Sequence, residues 1–294
     1  MNHQFVPFLK TRIAPTPSGF LHLGNVLSFA ITANIARKSR AKILLRIDDL
    51  DRARVNEEYV QDIFDTLDFL EIPWDEGPRD AQDFDDTWSQ LHRIGKYTEA
   101  LKQLADCGQV FACTCSRNQL QVSSCNCAQK HLPLNTPDVA WRLLTNGHSE
   151  IIVRTLGDAA IQATLPIDMQ NFVVKKKDGF PAYQLTSVID DLVYGIDLVV
   201  RGDDLWPSTL AQHALASALG QERFYDITFC HHLLLTENNG VKLSKSAGAT
   251  SIKHLRENGK NRQQVYTMLA GMMGINEALN NWEELAQLVS IPTG

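Results

Sequence analysis

The order of apolar and polar segments along the chain predicts an α/β fold. The segment 26–37 has the composition of a helix, and the apolar run 42–47, which ends in acidic residues, is typical of a buried parallel strand. An extended stretch precedes the helix, so the three elements predict a βαβ unit. Apolar residues at helical spacing then predict helices over 57–70 and 87–105.

The alternation stops over 107–185, where cysteines, prolines and short β-like runs at 150–153 and 171–174 predict an inserted module. It resumes with a strand at 197–202, a helix at 208–219 that Ser208 is expected to cap, and a strand at 226–235, before a helical tail from 251 to 291. We therefore expect an α/β domain in two parts, 1–106 and 186–240, an insert at 107–185, and a final region at 241–294.

Composition places the chain among soluble globular proteins, with 44% hydrophobic residues and 21% charged residues in 294. No apolar run reaches the roughly 18–20 residues of a membrane span, and no secretory signal is seen, so we expect a cytoplasmic protein without a membrane partner. The net charge of −6 argues against a nucleic-acid binder held by an overall positive field. The segments 175–177 and 242–262 are candidates for a local basic surface that contacts nucleic acid. The lysine triplet at 175–177 also fits a solvated strand edge.

Two short segments have the residues of a nucleotide site. The first, 15–25, has the sequence PTPSGFLHLGN and runs into the predicted helix 26–37; the second, 242–246, is KLSKS. Helix N-termini attract phosphate, and glycine lets the backbone approach it closely. Lysines supply compact charges for a triphosphate. No P-loop, G-x-G-x-x-G, G-x-S-x-G or H-E-x-x-H motif is present, so P-loop kinases, Rossmann dehydrogenases and α/β-hydrolases are excluded.

The two segments resemble the HIGH and KMSKS signatures of class I aminoacyl-tRNA synthetases. The flanking sequences RIAPTPSG at 12–19 and LRIDDLD at 45–51 are similar to the glutamyl branch, and the resemblance covers about 10 to 246. It implies a Rossmann-type parallel sheet forming the catalytic domain, an insert that binds the acceptor stem, and a short helical stem-contact region without an anticodon-binding domain.

The resemblance also implies ATP with Mg²⁺ as a substrate. Catalytic roles fall to His22, Lys242 and Lys245. The matching ATP-binding positions are His22, Gly24, Asn25, Lys242, Ser244 and Lys245, where Asn25 replaces the final histidine of the signature.

A glutamate site needs cations for two carboxylates and an anion for the ammonium group. Arg12 and Arg201 can each bind a carboxylate bidentately, and Arg201 ends a predicted strand, where α/β sheets place ligands. The family resemblance assigns glutamate binding to Arg12, Ile13, Ala14, Pro15, Thr16, Asp48, Tyr183 and Arg201. Asp48 stands where the family usually has glutamate.

Four of the six cysteines have the spacing of a metal site. Cys113, Cys115, Cys125 and Cys127 form two C-x-C pairs, and four thiolates complete a tetrahedral structural zinc site with no open position. We expect Cys107 and Cys230 to be ordinary buried thiols. The pair His231 and His232 has no third ligand nearby in sequence and is expected to be structural.

The predicted activity is formation of glutamyl-adenylate from L-glutamate and ATP, followed by transfer to tRNA. The chain stops about 48 residues after Ser246. In this short C-terminal region it resembles the glutamyl-Q-tRNA(Asp) synthetases. By that resemblance the acceptor is queuosine in the anticodon of tRNA(Asp), and we expect a monomer. Two alternatives stay open: a minimal glutamyl-tRNA synthetase that charges a tRNA 3′ end, and an inactive paralogue that binds tRNA or a protein.

Overall fold

The structure, a computed structural model, describes residues 8–122, 125–157, 160–235 and 251–289. The chain forms two compact units. The first unit combines Met1–His92, Ile196–Asp204 and Thr228–Gly294, and the second combines Arg93–Gly195 and Leu205–Ile227. Among the described helices, none is both long and apolar enough to span a bilayer.

The described strands are β1 (Lys10–Ile13), β2 (Lys42–Leu45), β3 (Val110–Cys113), β4 (Ala140–Leu143), β5 (Glu150–Arg154), β6 (Ala160–Thr164), β7 (Val173–Lys175), β8 (Leu198–Gly202) and β9 (Thr228–His232). The described α-helices are α1 (Leu23–Ser39), α2 (Glu57–Leu70), α3 (Ala81–Asp83), α4 (Ile94–Asp106), α5 (Arg117–Val122), α6 (Tyr183–Val193), α7 (Trp206–Ala218), α8 (Ile252–Glu257), α9 (Arg262–Met272) and α10 (Trp282–Leu288).

The first unit is built on a parallel sheet with the strand order β2-β1-β8-β9. Every neighbouring pair in it is parallel, as shown by the register of Arg12 with Leu44 and of Arg201 with His231. The βαβ unit predicted from the sequence is therefore confirmed. Parallel strands bring their carboxyl ends to one edge of the sheet, and this edge is where such sheets place ligands.

Helix α1 is the central helix of the first unit. It packs against β1, β2 and β8, and also against α9 and α10, so most of its residues are buried. Helix α2 has apolar residues on one side only and matches the predicted bounds of 57 and 70. Asn56 caps its start by accepting a hydrogen bond from the backbone N–H of Glu58 at 2.9 Å.

Three local predictions were wrong. The segment 87–105 is not one helix, because Asp49 accepts hydrogen bonds from the Ser89 hydroxyl at 2.6 Å and the Gln90 N–H at 2.8 Å. An α-helix therefore begins only at Ile94. Helix α7 begins before Ser208, with Pro207 in its first turn, where proline's missing N–H costs no hydrogen bond.

The third error concerns the strand expected at 226–235, of which only β9 forms; a 3₁₀ turn, Glu222–Asp226, precedes it. Among the thiols outside the cluster, Cys230 is buried as expected, whereas Cys107 is exposed.

The second unit contains an antiparallel sheet of order β3-β4-β7 and the hairpin β5-β6. Helices α6 and α7 pack together, and α4 packs on α6. A buried ion pair supports this packing: Arg93 donates to both carboxylate oxygens of Asp190 at 3.0 Å, and the Tyr97 hydroxyl donates to the same carboxylate at 2.7 Å. Three donors on one buried carboxylate offset the cost of removing it from water.

Candidate active site

His22 is the N-cap of helix α1, which begins three residues earlier than predicted. Its Nδ1 accepts a hydrogen bond from the Gly24 N–H at 3.1 Å, and the Asn25 side chain accepts one from the His22 N–H at 3.0 Å. The two bonds form a capping box. Asn25 thus has a structural task of its own. The imidazole is held at the positive end of the helix dipole, where phosphate groups bind well.

Gly24 leaves room for this imidazole. A Cβ atom at position 24 would lie 3.0 Å from Cε1 and 3.1 Å from Nδ1 of His22. Any larger residue would therefore press against the ring that forms the cap. This contact explains the glycine without reference to a ligand.

The chain returns to His22 much later in the sequence. His22 and Ser251 form an isolated antiparallel bridge, and the Ile252 N–H donates to the Leu21 carbonyl at 2.8 Å. The second signature, with Lys242, Ser244 and Lys245, lies outside the described residues. Its assigned roles in ATP binding stay predictions.

Arg12 and Arg201 are buried in the first unit, on neighbouring strands β1 and β8. Arg12 donates from Nη1 to the Val200 carbonyl at 3.4 Å. The guanidinium of Arg201 lies over the ring of Phe229, with its central carbon 5.0 Å from the ring centroid. Two buried guanidinium groups on adjacent strands provide the charge that a dicarboxylate requires.

Asp48 lies next to the loop that follows β1. The Arg46 N–H donates to the Ile13 carbonyl and the Asp48 N–H to the Pro15 carbonyl, both at 2.9 Å, so the chain after β2 continues to pair with the chain after β1. The predicted glutamate-site residues Ile13, Pro15 and Asp48 are therefore neighbours. Thr16 follows in the same loop and accepts a hydrogen bond from the Ser18 N–H at 2.8 Å.

The carboxylate of Asp48 already has a cationic partner. Arg46 donates to it bidentately, from Nε at 2.8 Å and from Nη2 at 3.0 Å, and both residues are buried. Sequence reasoning gave Arg46 no role. The signal was available, because residues two apart in an extended segment point to the same side.

His231 lies in register with Arg201 and stacks on Phe229, with the two ring centroids 6.2 Å apart. Burial, together with the positive charges of Arg201 and Arg12, lowers the pKa of His231 to about 3. The ring therefore stays neutral at physiological pH.

Tyr183 belongs to the second unit, where it is the first residue of α6 and has an exposed side chain. Ala14 lies in the first unit, in the loop after β1. The assignment of these two residues to glutamate stays a prediction.

The four clustered cysteines of the second unit come together in space. Their Sγ atoms all lie within 4.8 Å of one another, and three pairs are 3.6, 3.9 and 3.6 Å apart. Zn–S bonds of about 2.3 Å in a regular tetrahedron require S···S distances of about 3.8 Å. The donor set and its spacing therefore fit a closed tetrahedral zinc site, with Cys113 at the end of β3 and Cys127 at the start of a 3₁₀ turn.

The thiols of the cluster differ in acidity. Desolvation raises the pKa of Cys115 to about 12. For Cys127, burial opposes ionisation, but hydrogen bonds from the Thr114 backbone and the neighbouring thiols lower its pKa to about 6. A cluster that already favours one thiolate is suited to a cation.

The lysine triplet near this cluster has local partners. Lys177 donates to the Thr114 carbonyl at 2.6 Å, between the first two cysteines. Lys175 lies 4.4 Å from the ring centroid of Trp141, and Lys176 donates to Asp178 at 2.9 Å. These contacts favour the strand-edge interpretation of the triplet over an RNA-binding one.

The fold defined by this sheet and helix is that of class I synthetase catalytic domains. Glutamate-tRNA synthetase from Elizabethkingia anophelis superposes with a TM-score of 0.75 at 22% identity, covering 95% of this chain and 65% of that one. A glutamate tRNA ligase from Elizabethkingia meningosepticum, solved in complex with its amino acid, gives a TM-score of 0.72 at 21% identity, covering 95% of this chain and 64% of that one.

The family described as tRNA synthetases class I (E and Q), catalytic domain, matches residues 8–136 and 154–290, and the chain belongs to this family. It is 31% identical over 287 residues to a glutamate–tRNA ligase of Treponema denticola, covering 90% of this chain and 55% of the relative. It is 32% identical to glutamate–tRNA ligase 2 of Acidiphilium cryptum, covering 89% of this chain and 60% of the relative. The chain thus spans a little over half the length of these relatives.

Proposed function

We propose that the protein activates L-glutamate with ATP and transfers the glutamyl group to RNA. The observation that supports this most is the placement of Arg12 and Arg201 on adjacent strands of the sheet, in the same compact unit as the His22 cap. In a chain of this family, buried arginines at the carboxyl edge suit an amino acid with two carboxylates.

In the proposed reaction, an oxygen of the α-carboxylate of glutamate attacks the α-phosphorus of ATP. The P–O bond to the leaving group breaks, which gives glutamyl-adenylate and pyrophosphate. His22, at the N-terminus of α1, with Gly24 and Asn25, supports the phosphates. From the sequence, Lys242 and Lys245 neutralise the charge that moves to pyrophosphate, with Ser244 also at the nucleotide. Mg²⁺ accompanies ATP and screens its phosphates.

For the amino acid, the proposed site uses Arg12 and Arg201 for the carboxylates, with Asp48 near the ammonium group and Tyr183 as a hydroxyl donor. Because Arg46 already holds Asp48, the ammonium group would meet a carboxylate that is fixed in position. Such a fixed anion favours one orientation of the substrate. The backbone at the end of β1 and in the loop after it lines this proposed site, at Ile13, Ala14, Pro15 and Thr16.

We further propose zinc as the ion of the four-cysteine cluster, in a structural role, because the sulfur spacing fits its tetrahedral geometry. We also propose that the insert at 107–185 binds the RNA acceptor and that the stretch 186–240 completes the catalytic domain begun by 1–106. We assign 241–294 to the second signature and a helical region that contacts the tRNA stem, and we propose that the protein acts as a cytoplasmic monomer.

For the acceptor we propose queuosine in tRNA(Asp), with a tRNA 3′ end as the alternative. The four-cysteine cluster is compatible with both acceptors. The test is transfer of labelled glutamate to tRNA(Asp) with queuosine, tRNA(Asp) without it, and tRNA(Glu). Transfer only to the queuosine-containing tRNA supports the proposal, whereas transfer to tRNA(Glu) supports the alternative.

A further inference from the structure

The last residue of β9, His232, is hydrogen-bonded through both ring nitrogens. Nδ1 lies 2.9 Å from the carbonyl oxygen of Leu233, and Nε2 lies 2.6 Å from the hydroxyl of Ser28. The residue is 4% exposed. A buried imidazole with both nitrogens engaged has one orientation available to it.

The contacts also fix which nitrogen has the proton. A carbonyl can only accept, so Nδ1 donates to Leu233. Burial lowers the pKa of His232 and keeps the ring neutral. In the neutral ring Nε2 is an acceptor, and the Ser28 hydroxyl donates to it.

Ser28 lies one turn after Gly24 in α1. Its hydroxyl is also 3.4 Å from the Gly24 carbonyl, but the shorter contact is the one to His232. The hydrogen bond therefore ties the end of β9 to the turn of α1 that includes Gly24 and Asn25. This is the same turn that His22 caps.

We propose that His232 is a positioning residue: through Ser28 it fixes the N-terminal turn of α1, and thereby the His22 cap, relative to the carboxyl edge of the sheet. The inference rests on the proposed function for its effect on adenylate formation. It does not require His232 to contact a substrate. It assigns a use to one member of a histidine pair that the sequence indicated only as structural.

The experiment compares two isosteres of the imidazole. In His232→Gln, the side-chain oxygen occupies the position of Nε2 and can accept from Ser28. In His232→Asn, the amide occupies the position of Nδ1 and keeps only the bond to Leu233. Ser28→Ala removes the donor. Ser39→Ala is the matched control, because Ser39 is a buried serine of the same helix whose hydroxyl donates to Ile35 at 2.8 Å.

The first readout is glutamate-dependent ATP–pyrophosphate exchange. We expect His232→Asn and Ser28→Ala to lower turnover at least about tenfold, because each loses one short, partly buried hydrogen bond. The KM for glutamate should change less than about twofold. His232→Gln and Ser39→Ala should stay within about twofold of the original turnover. The double variant Ser28→Ala/His232→Asn should be no slower than the slower single variant, because both changes break the same bond.

The second readout is amide hydrogen exchange of the peptide 22–30, which needs no activity. We expect exchange about tenfold faster in His232→Asn and Ser28→Ala, and unchanged in His232→Gln. Full turnover together with unchanged amide hydrogen exchange in Ser28→Ala would overturn the proposal. Equal turnover and equal amide exchange in His232→Gln and His232→Asn would also overturn it. If the unmodified protein shows no glutamate-dependent ATP–pyrophosphate exchange, the proposed function fails. The amide hydrogen exchange measurement still decides whether His232 fixes the N-terminal turn of α1.

Discussion

His22 and Ser251 pair through their backbones, and each is the N-cap of a helix. His22 caps α1, and the Ser251 hydroxyl caps α8 by accepting from the His254 N–H at 3.2 Å. Two helix starts that are more than 220 residues apart in sequence therefore lie side by side. The first signature motif is thus paired with Ser251, which lies five residues after the end of the second signature, 242–246.

Because His22 is both a helix cap and the proposed phosphate ligand, the two roles need separate variants. His22→Asn keeps a good capping side chain but removes the imidazole, whereas His22→Ala removes both. We expect His22→Ala to lose about 1 kcal/mol of stability and His22→Asn to lose much less. Exchange turnover should fall strongly in both. If His22→Asn keeps full turnover, the imidazole has no catalytic role.

The cysteine cluster predicts one zinc ion per chain. Elemental analysis of protein purified without chelator should give one equivalent, and Cys113→Ser/Cys127→Ser should lose it together with stability of the second unit, since metal binding and folding of the site are coupled. Cys107→Ser, at an exposed cysteine outside the cluster, is the control and should retain zinc. A metal content near zero in the unmodified protein would contradict the assignment.

The Arg46–Asp48 pair makes Asp48 important for stability as well as for substrate. Asp48→Ala leaves a buried guanidinium without its carboxylate, and we expect it to cost about 3–5 kcal/mol of unfolding free energy. Asp48→Glu restores the residue that the family usually has and keeps the charge. It should remain folded and keep its KM for glutamate within about threefold. Chemical denaturation and exchange kinetics on the same samples separate the two effects.

His231 predicts a loss of stability in mild acid. Its pKa is about 3 in the folded protein and 6.5 ordinarily, so between these values the unfolded chain binds a proton that the folded protein excludes. The contribution of His231 to the free energy of unfolding is fully present above pH 6.5. It decreases as the pH falls toward 3, by at most about 1.4 kcal/mol per pH unit.

The measurement is the urea midpoint at pH 7.5 and pH 5.5. The unmodified protein should lose more stability between the two values than His231→Gln, which has no titrating ring. An equal loss of stability in both proteins would show that protonation of His231 makes no contribution between pH 7.5 and pH 5.5.

The sequence predicted best where a local pattern decides the structure. The bounds of α2 followed from its one-sided apolar spacing. The start of α1 was placed too late because histidine is an uncommon cap, and the helix at 87–105 failed because Asp49, forty residues away, binds Ser89 and Gln90. Long-range contacts such as His232 with Ser28 leave no periodic signal in the sequence.

The central claim is that the buried arginines select glutamate. It is tested by ATP–pyrophosphate exchange with glutamate, glutamine and aspartate, on the unmodified protein, Arg12→Leu, and Arg79→Leu as the control at an exposed arginine. We expect exchange with glutamate far above that with glutamine, a KM for glutamate raised at least about tenfold in Arg12→Leu, and no change in Arg79→Leu. Exchange with glutamine equal to that with glutamate, or an unchanged KM in Arg12→Leu, would contradict the account.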